Sequence, residues 1–77
     1  MAELTLEKPY LVINGETRDV STPHWPLNPL ELLEILGVEA GRVVMEINGA
    51  VVRRQNWSSH AIQPGDKIEV VNVVGGG

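Results

Sequence analysis

Short runs of β-branched and other apolar residues, separated by pairs of turn residues, predict strands joined by tight hairpins. The first run is Tyr10–Ile13, and a second strand is predicted over residues 16–20. Asn14 and Gly15 stand between them, and Asn-Gly is a preferred centre of a type I′ turn because both of its residues take positive φ. The first two strands are therefore predicted to form a hairpin.

The same signals predict a second hairpin further along the chain. Residues 42–47 read as a strand whose apolar side chains share one face: Val43, Met45 and Ile47. Asn48 and Gly49 supply the turn, and residues 50–53 return as a short strand.

The last strand is predicted over residues 67–74, which are rich in valine and isoleucine. Alternation directs Ile68 and Val70 toward the helix, and Val71 and Val73 to the opposite side of the sheet. An apolar outer face so close to the chain end suggests a docking patch, although single exposed valines are also ordinary surface residues.

One helix is predicted between the hairpins, over Pro29–Leu36. Asn28 is its N-cap, proline occupies the tolerated first position, and Glu31 completes a capping box. Gly37 follows at the position where helices commonly end. Apolar residues three and four apart form the stripe expected to cover the sheet: Leu32, Leu33, Ile35 and Leu36.

The remaining segments are predicted as connections. Residues 21–28 contain two prolines and form a loop, in which Trp25 is open between packing and partner contact. Residues 55–60 are predicted to make a turn of helix with Trp57 under the core. Pro64 and Gly65 fit positions i+1 and i+2 of a type II turn before the last strand.

The order of elements is ββαββ followed by a last strand, which predicts an α+β fold with one mixed sheet packed on one main helix. We expect the first and last strands to pair in the middle of the sheet. The 77 residues suffice for a single domain, residues 1–77, with residues 1–9 as an N-terminal extension and residues 75–77 as a flexible C-terminal tail.

Composition narrows the classes of partner. The net charge is −4 and there is no basic block beyond Arg53 and Arg54, so neither nucleic acid nor an anionic membrane is an expected partner. No apolar stretch is long enough to span a bilayer and no secretory leader is visible, which predicts a cytoplasmic protein. With no cysteine, any sulfur chemistry would have to take place at the terminal carboxyl group.

Three glycines, Gly75, Gly76 and Gly77, close the chain. Without side chains they can enter a channel too narrow for other residues and deliver the α-carboxylate of Gly77. That carboxylate is ionised at neutral pH and is a poor electrophile, so another enzyme would have to activate it. Taken alone, the glycines are equally well explained as a frayed terminus or a linker.

Other residues that could carry chemistry form weaker patterns. Ser58, Ser59, His60 and Asp66 have the residue types of a hydrolytic triad, but so small a domain leaves little room for an oxyanion hole and a pocket. His24 and His60 supply too few ligands for a metal site, so no metal is predicted.

Four segments together resemble the ThiS family of sulfur carriers, which have the ubiquitin-like β-grasp fold: residues 30–37, 44–57, 62–71 and 73–77. Within them the Asn-Gly hairpin, the Arg/Trp step, the Pro-Gly-Asp turn and the terminal glycines stand at the family's spacings. The sequence departs from the family pattern in its N-terminal extension and in the longer loop 21–28.

The resemblance implies a carrier and not an enzyme, with no bound cofactor. A ThiF-like adenylyltransferase would use ATP to adenylate Gly77, and sulfur drawn indirectly from a cysteine desulfurase would convert it to a thiocarboxylate. A ThiG-like thiazole synthase would then receive the sulfur for thiamine biosynthesis. Gly76 and Gly77 match the family's functional diglycine.

Residues near the tail are the expected partner contacts: Val71, Val73, Val74, Gly75, Arg53 and Arg54. An arginine pair at this place is more often simply the solvated end of a strand. Three other functions stay open from the sequence: a MoaD-like small subunit of molybdopterin synthase, a β-grasp interaction module without carrier chemistry, and a ubiquitin-like protein conjugator.

Overall fold

The structure is a computed structural model that describes residues 8–22 and 24–73. Its elements are β1 (Tyr10–Ile13), β2 (Glu16–Asp19), α1 (Pro29–Leu36), β3 (Val43–Ile47), β4 (Ala50–Val52), a 3-10 helix (Arg54–Ser59) and β5 (Lys67–Asn72). Most of the predicted N-terminal extension, residues 1–7, and the predicted tail with Val74 lie outside the described residues.

The five strands form one sheet in the order β2-β1-β5-β3-β4. β1 and β5 are parallel, whereas the pairs β1–β2, β3–β4 and β3–β5 are antiparallel. The sheet is therefore mixed, and the prediction that the first and last strands pair in its middle is confirmed. The last strand to be synthesised occupies the central position.

Both Asn-Gly hairpins adopt the predicted conformation, with φ of 50° and 83° at Asn14 and Gly15 and of 53° and 87° at Asn48 and Gly49. The predicted type II turn is also confirmed. There the N–H of Asp66 donates to the Gln63 carbonyl at 3.1 Å and Gly65 has φ of 90°. Six of the ten strand ends lie where the sequence predicts, three differ by one residue, and β5 ends at Asn72, two residues before the predicted end.

The helix begins and ends where the sequence predicts. The Asn28 side chain accepts from the Glu31 N–H at 2.9 Å, and Glu31 Oε1 accepts from the Asn28 N–H at 2.8 Å, which completes the capping box. Gly37 ends the helix with φ of 71°. Two donors at the start of the helix, the N–H groups of Asn28 and Glu31, thus have partners from their own turn of chain.

The predicted apolar stripe of α1 is wrong at Ile35, whose side chain is 46% exposed. Pro29, Leu32 and Leu33 are the buried residues of the helix. At 3.6 residues per turn, Ile35 lies roughly 120° around the helix from Pro29, and so it falls outside the face that meets the sheet. The spacing of the apolar residues allowed either of two adjacent helix faces to meet the sheet. In the structure the face that contains Pro29 is buried, and the face that contains Ile35 is exposed.

Trp57 is the large aromatic anchor of the core, as predicted: its side chain is only 2% exposed and its Nε1–H donates to the Val52 carbonyl at 2.9 Å. The loop 21–28 is tied to the core by a two-way backbone bridge between Leu27 and Ile62, at 3.0 and 2.7 Å. The interior between sheet and helix contains several fully buried side chains: Leu11, Leu32, Met45, Ile62 and Ile68.

Trp25, left open by the sequence, lies partly buried against this core. Its Nε1 is buried and has no hydrogen-bond partner among the described residues. The apolar ring of Trp25 is therefore used in core packing, whereas its Nε1–H is buried without an acceptor among the described residues.

Candidate functional site

The end of the central strand is the point from which the chain runs toward Gly77. β5 ends at Asn72, which lies opposite Val43 of β3. One residue further, the Val73 N–H donates to the Arg42 carbonyl at 2.7 Å, so the ladder continues to the last described residue. The predicted site residues Val74, Gly75, Gly76 and Gly77 follow directly and lie outside the described part of the chain.

Two turn asparagines hold β5 from either side. Asn14 Oδ1 accepts from the Val70 N–H at 2.8 Å, and Asn14 Nδ2 donates to the Val70 carbonyl at 3.2 Å. Asn48 Oδ1 accepts from the Lys67 N–H at 2.9 Å. The sequence analysis assigned these asparagines only a turn role and missed their bonds to the last strand, because no local pattern indicates a partner 19 or 56 residues away.

The face of the sheet opposite the helix carries four exposed valines: Val44, Val51, Val71 and Val73. Val71 and Val73 are 49% and 44% exposed, as alternation along the strand predicted. Val44 lies opposite Val71 in the β3–β5 ladder, and Val51 of β4 is 61% exposed. We call these four residues the valine patch. Val44 and Val51 were missed, although alternation with the buried residues beside them was the available signal.

Two carboxylates lie next to the valine patch. Glu46 and Glu69 face one another in the β3–β5 register, and Glu46 also lies opposite Val51 in the β3–β4 register. Among the described residues neither carboxylate lies within 4 Å of a cationic group, even though Lys67 is on the same face of β5. The open face is thus apolar toward the chain end and negatively charged beside it.

The structure separates the two arginines that the sequence placed together. Arg54 Nη2 donates to the carbonyls of Ala40, Gly41 and Val43, the last two at 3.3 Å, and its guanidinium lies over the Trp57 ring, 4.5 Å from the centroid. Arg53 is exposed at the start of the 3-10 helix and its side chain makes no capping bond. Both arginines are exposed, but Arg54 is engaged in contacts within the fold, whereas the Arg53 side chain makes no capping bond.

The residue types of a hydrolytic triad serve local structure. Asp66 accepts from the Gln63 N–H at 2.9 Å and from Asn48 Nδ2 at 3.1 Å, and the Ser59 hydroxyl donates to the Asn56 carbonyl at 3.3 Å. His24 Nε2 lies 3.3 Å from Glu31 Oε2, beside the helix cap. These groups stabilise turns, a cap and the end of a 3-10 helix.

The described residues contain neither a metal-binding cluster nor a membrane-spanning helix. In residues 8–22 and 24–73, no group of three or more His, Asp or Glu side chains is placed to hold a metal ion. No helix in that same portion has the length and hydropathy required to cross a membrane.

Comparison with known proteins identifies relatives over most of the chain. The ThiS family model matches residues 11–77. The sulfur carrier protein ThiS of Escherichia coli K12 is 38% identical over 47 residues, which cover 61% of this chain and 71% of that protein. A thiazole synthase of Paramagnetospirillum magneticum is 39% identical over 67 residues, or 87% of this chain. The chain spans only 20% of the length of that thiazole synthase.

Solved structures agree with the sequence comparison. The crystal structure of the thiamine biosynthesis protein ThiS from Geobacter metallireducens superposes with a TM-score of 0.76 at 33% identity, covering 88% of this chain and 99% of that one. The solution structure of a thiamine biosynthesis protein from the same organism gives a TM-score of 0.72. The five-stranded mixed sheet with its single α-helix is therefore the ubiquitin-like β-grasp fold. With the family match extending over residues 11–77, the chain belongs to the ThiS family, the family of the Escherichia coli sulfur carrier protein.

Proposed function

We propose that this protein is the sulfur carrier for thiazole formation in thiamine biosynthesis. The carboxyl group of Gly77 is the group that carries the sulfur atom. The observation that carries the proposal is that the family match runs through residue 77 and so includes the terminal diglycine, Gly76 and Gly77. The fold supports it by delivering the chain end from the central strand of the sheet.

The proposed chemistry has two activation steps carried out by partners. A ThiF-like adenylyltransferase joins a Gly77 carboxylate oxygen to the α-phosphorus of ATP and releases pyrophosphate, which turns the unreactive carboxylate into an acyl-adenylate. A sulfur nucleophile at the sulfide level then displaces AMP and leaves a thiocarboxylate. A cysteine desulfurase supplies this sulfur as a persulfide, which a thiol reduces. ATP is consumed by the partner, and the carrier itself holds no cofactor.

A ThiG-like thiazole synthase is the proposed acceptor of the sulfur. The thiazole synthase of Paramagnetospirillum magneticum supports this assignment, because it contains within its own chain a region 39% identical to residues of this protein. A carrier domain and its acceptor that occur in one polypeptide need to meet in every catalytic cycle, and covalent linkage raises their effective concentration.

We propose the valine patch as the surface on which the adenylyltransferase docks. It lies on the open face of the sheet, and Val71 and Val73 stand on the strand that leads to the tail. Glu46 and Glu69 border it, and within residues 8–22 and 24–73 no cation lies within 4 Å of them, so a partner with an apolar contact surface and a basic side chain beside it would be complementary. Val74 and Gly75 then enter the partner's channel with Gly76 and Gly77, and Arg53 contacts an acidic group at the rim.

The test is to incubate the protein with a ThiF-like adenylyltransferase, ATP, a cysteine desulfurase and cysteine, and to measure intact mass. Replacement of one terminal oxygen by sulfur is the expected result. A matched chain that lacks only Gly77 should remain unmodified, since its terminal carboxyl group ends one residue short of the active site. An unchanged mass for the complete chain, with a known carrier converted in parallel, would overturn the proposal.

A further inference from the structure

Arg54 links the interior of the protein to the loop between α1 and β3. Its guanidinium lies over Trp57, which is 2% exposed and fixed by its bond to Val52. From there it donates to three backbone carbonyls, those of Ala40, Gly41 and Val43. We call this set of contacts the Arg54 clamp.

The clamp holds the backbone on both sides of Arg42. The Arg42 carbonyl in turn accepts the Val73 N–H at 2.7 Å, the last ladder bond before the undescribed C-terminal residues. A Cβ added at Gly41, next to Arg42, would meet no heavy atom within 4 Å, so nothing packs closely on that side of the residue. The bonds of Arg54 to the residues flanking Arg42 therefore add to the β3–β5 ladder at Val43 in holding the Arg42 carbonyl.

We infer that Arg54 is a positioning residue, which sets the direction in which the chain leaves β5 toward Gly77. This inference rests on the proposed function, since only a transferred terminus gives that direction a catalytic consequence. When the Arg42 carbonyl moves, the bond to Val73 loosens, and Gly77 spends less time aligned in a partner's active site. Loss of alignment lowers the rate of the chemical step more than it lowers the affinity of docking.

The geometry requires arginine at this position. In Arg54 the plane of the guanidinium lies over the indole ring while Nη2, at its edge, reaches the carbonyls. A lysine has one nitrogen for both tasks, so an ammonium placed over the Trp57 ring would not stand where Nη2 meets the carbonyls. Arg18, an exposed arginine on the edge strand β2, makes none of these contacts among the described residues and is a matched control.

The experiment compares Arg54→Met with Arg18→Met in the complete chain. Methionine keeps an apolar stem for packing on Trp57 and removes the donors. Two readouts are measured: amide hydrogen exchange at Val73 by NMR relative to amides in the middle of β5, and kcat and Kd with the adenylyltransferase. We expect Arg54→Met to speed exchange at Val73 selectively and to lower kcat about tenfold or more, with Kd changed less than about twofold. Arg18→Met should leave both exchange at Val73 and kcat unchanged.

Equal effects of the two methionine variants, or an Arg54→Met protein with wild-type exchange at Val73, would overturn the inference. If Arg54→Met does not fold, Arg54→Lys replaces it, with the same selective loss of protection at Val73 and an intermediate kcat expected. A uniform rise in exchange across β5 would mark Arg54 as a general stabiliser and would also overturn the positioning role. Failure of the wild-type chain to acquire sulfur would instead reject the proposed function, and the exchange measurement would still decide whether the clamp controls Val73.

Discussion

Glu46 and Glu69 lie directly opposite one another on the neighbouring strands β3 and β5. Like charges in this arrangement destabilise a sheet, and no described cation lies within 4 Å of either carboxylate. The isolated protein therefore retains a repulsion at the border of its valine patch. A basic group on a bound partner would relieve this repulsion. The two carboxylates therefore lower the stability of the free chain and raise its affinity for the partner.

Replacing Glu69 by lysine should raise the stability of the free chain and lower its affinity for the adenylyltransferase. Glu69→Lys converts the repulsive pair into an attractive one, which we expect to stabilise the fold by about 0.5–1 kcal/mol and to raise Tm by several degrees. The same change should weaken binding to the adenylyltransferase, because it places a cation where the partner's cation belongs. Thermal unfolding and titration calorimetry measure the two effects. Glu16→Lys, on the edge strand β2, changes the net charge equally and should leave binding intact; stronger binding by Glu69→Lys would contradict the proposed surface.

A charge within the valine patch should abolish docking without unfolding the protein. Val71 is 49% exposed, so Val71→Asp buries no carboxylate in the free chain and should change Tm little. In the complex it would place an unpaired carboxylate in the apolar contact, which costs at least several-fold in affinity. Leu30→Asp is the matched control, since Leu30 is 47% exposed but lies on the helix. Pull-down with the adenylyltransferase decides the matter, and equal binding of both variants would rule out the patch.

The two tryptophans should respond differently to replacement by phenylalanine. Trp57→Phe removes the bond to the Val52 carbonyl and leaves a void in the core, so we expect a loss of about 1–3 kcal/mol. Trp25→Phe removes a buried Nε1–H that has no described partner, so its cost should be under about 1 kcal/mol and stabilisation is an allowed outcome. Urea unfolding of the two variants provides the comparison. A larger loss at Trp25 than at Trp57 would mean that the Trp25 nitrogen has a partner in solution.

The side chain of Asn14 should contribute to the free energy of unfolding beyond the positive φ that the turn requires. Glycine also accepts positive φ, so Asn14→Gly keeps the type I′ turn but deletes both side-chain bonds to Val70. We expect it to lose about 1–2 kcal/mol, mostly through weaker attachment of β1 to β5. Denaturant midpoints measure the loss, with Asn14→Asp as the control that keeps the acceptor. Unchanged stability of Asn14→Gly would show that water replaces the side chain at β5.

The elements that the sequence determined are those fixed by neighbours a few residues apart. The asparagine and glycine of each hairpin, the capping box of Asn28 and Glu31, and the alternation along β5 all depend on interactions within one turn or strand. Such interactions select backbone conformation before any tertiary contact forms. This is why the order of elements and the exposure of the valines near the chain end were predicted.

Tertiary structure decided whatever depends on register or on which face an element presents. Strand register placed Glu46 opposite Glu69 and brought Asn14 to Val70, 56 residues away, while packing of α1 chose Pro29 over Ile35. Adjacent arginines, identical in any local pattern, were separated into an exposed Arg53 and an Arg54 held over Trp57. The reason is that a side chain's partners are set by the relative placement of whole elements, which sequence neighbours do not encode.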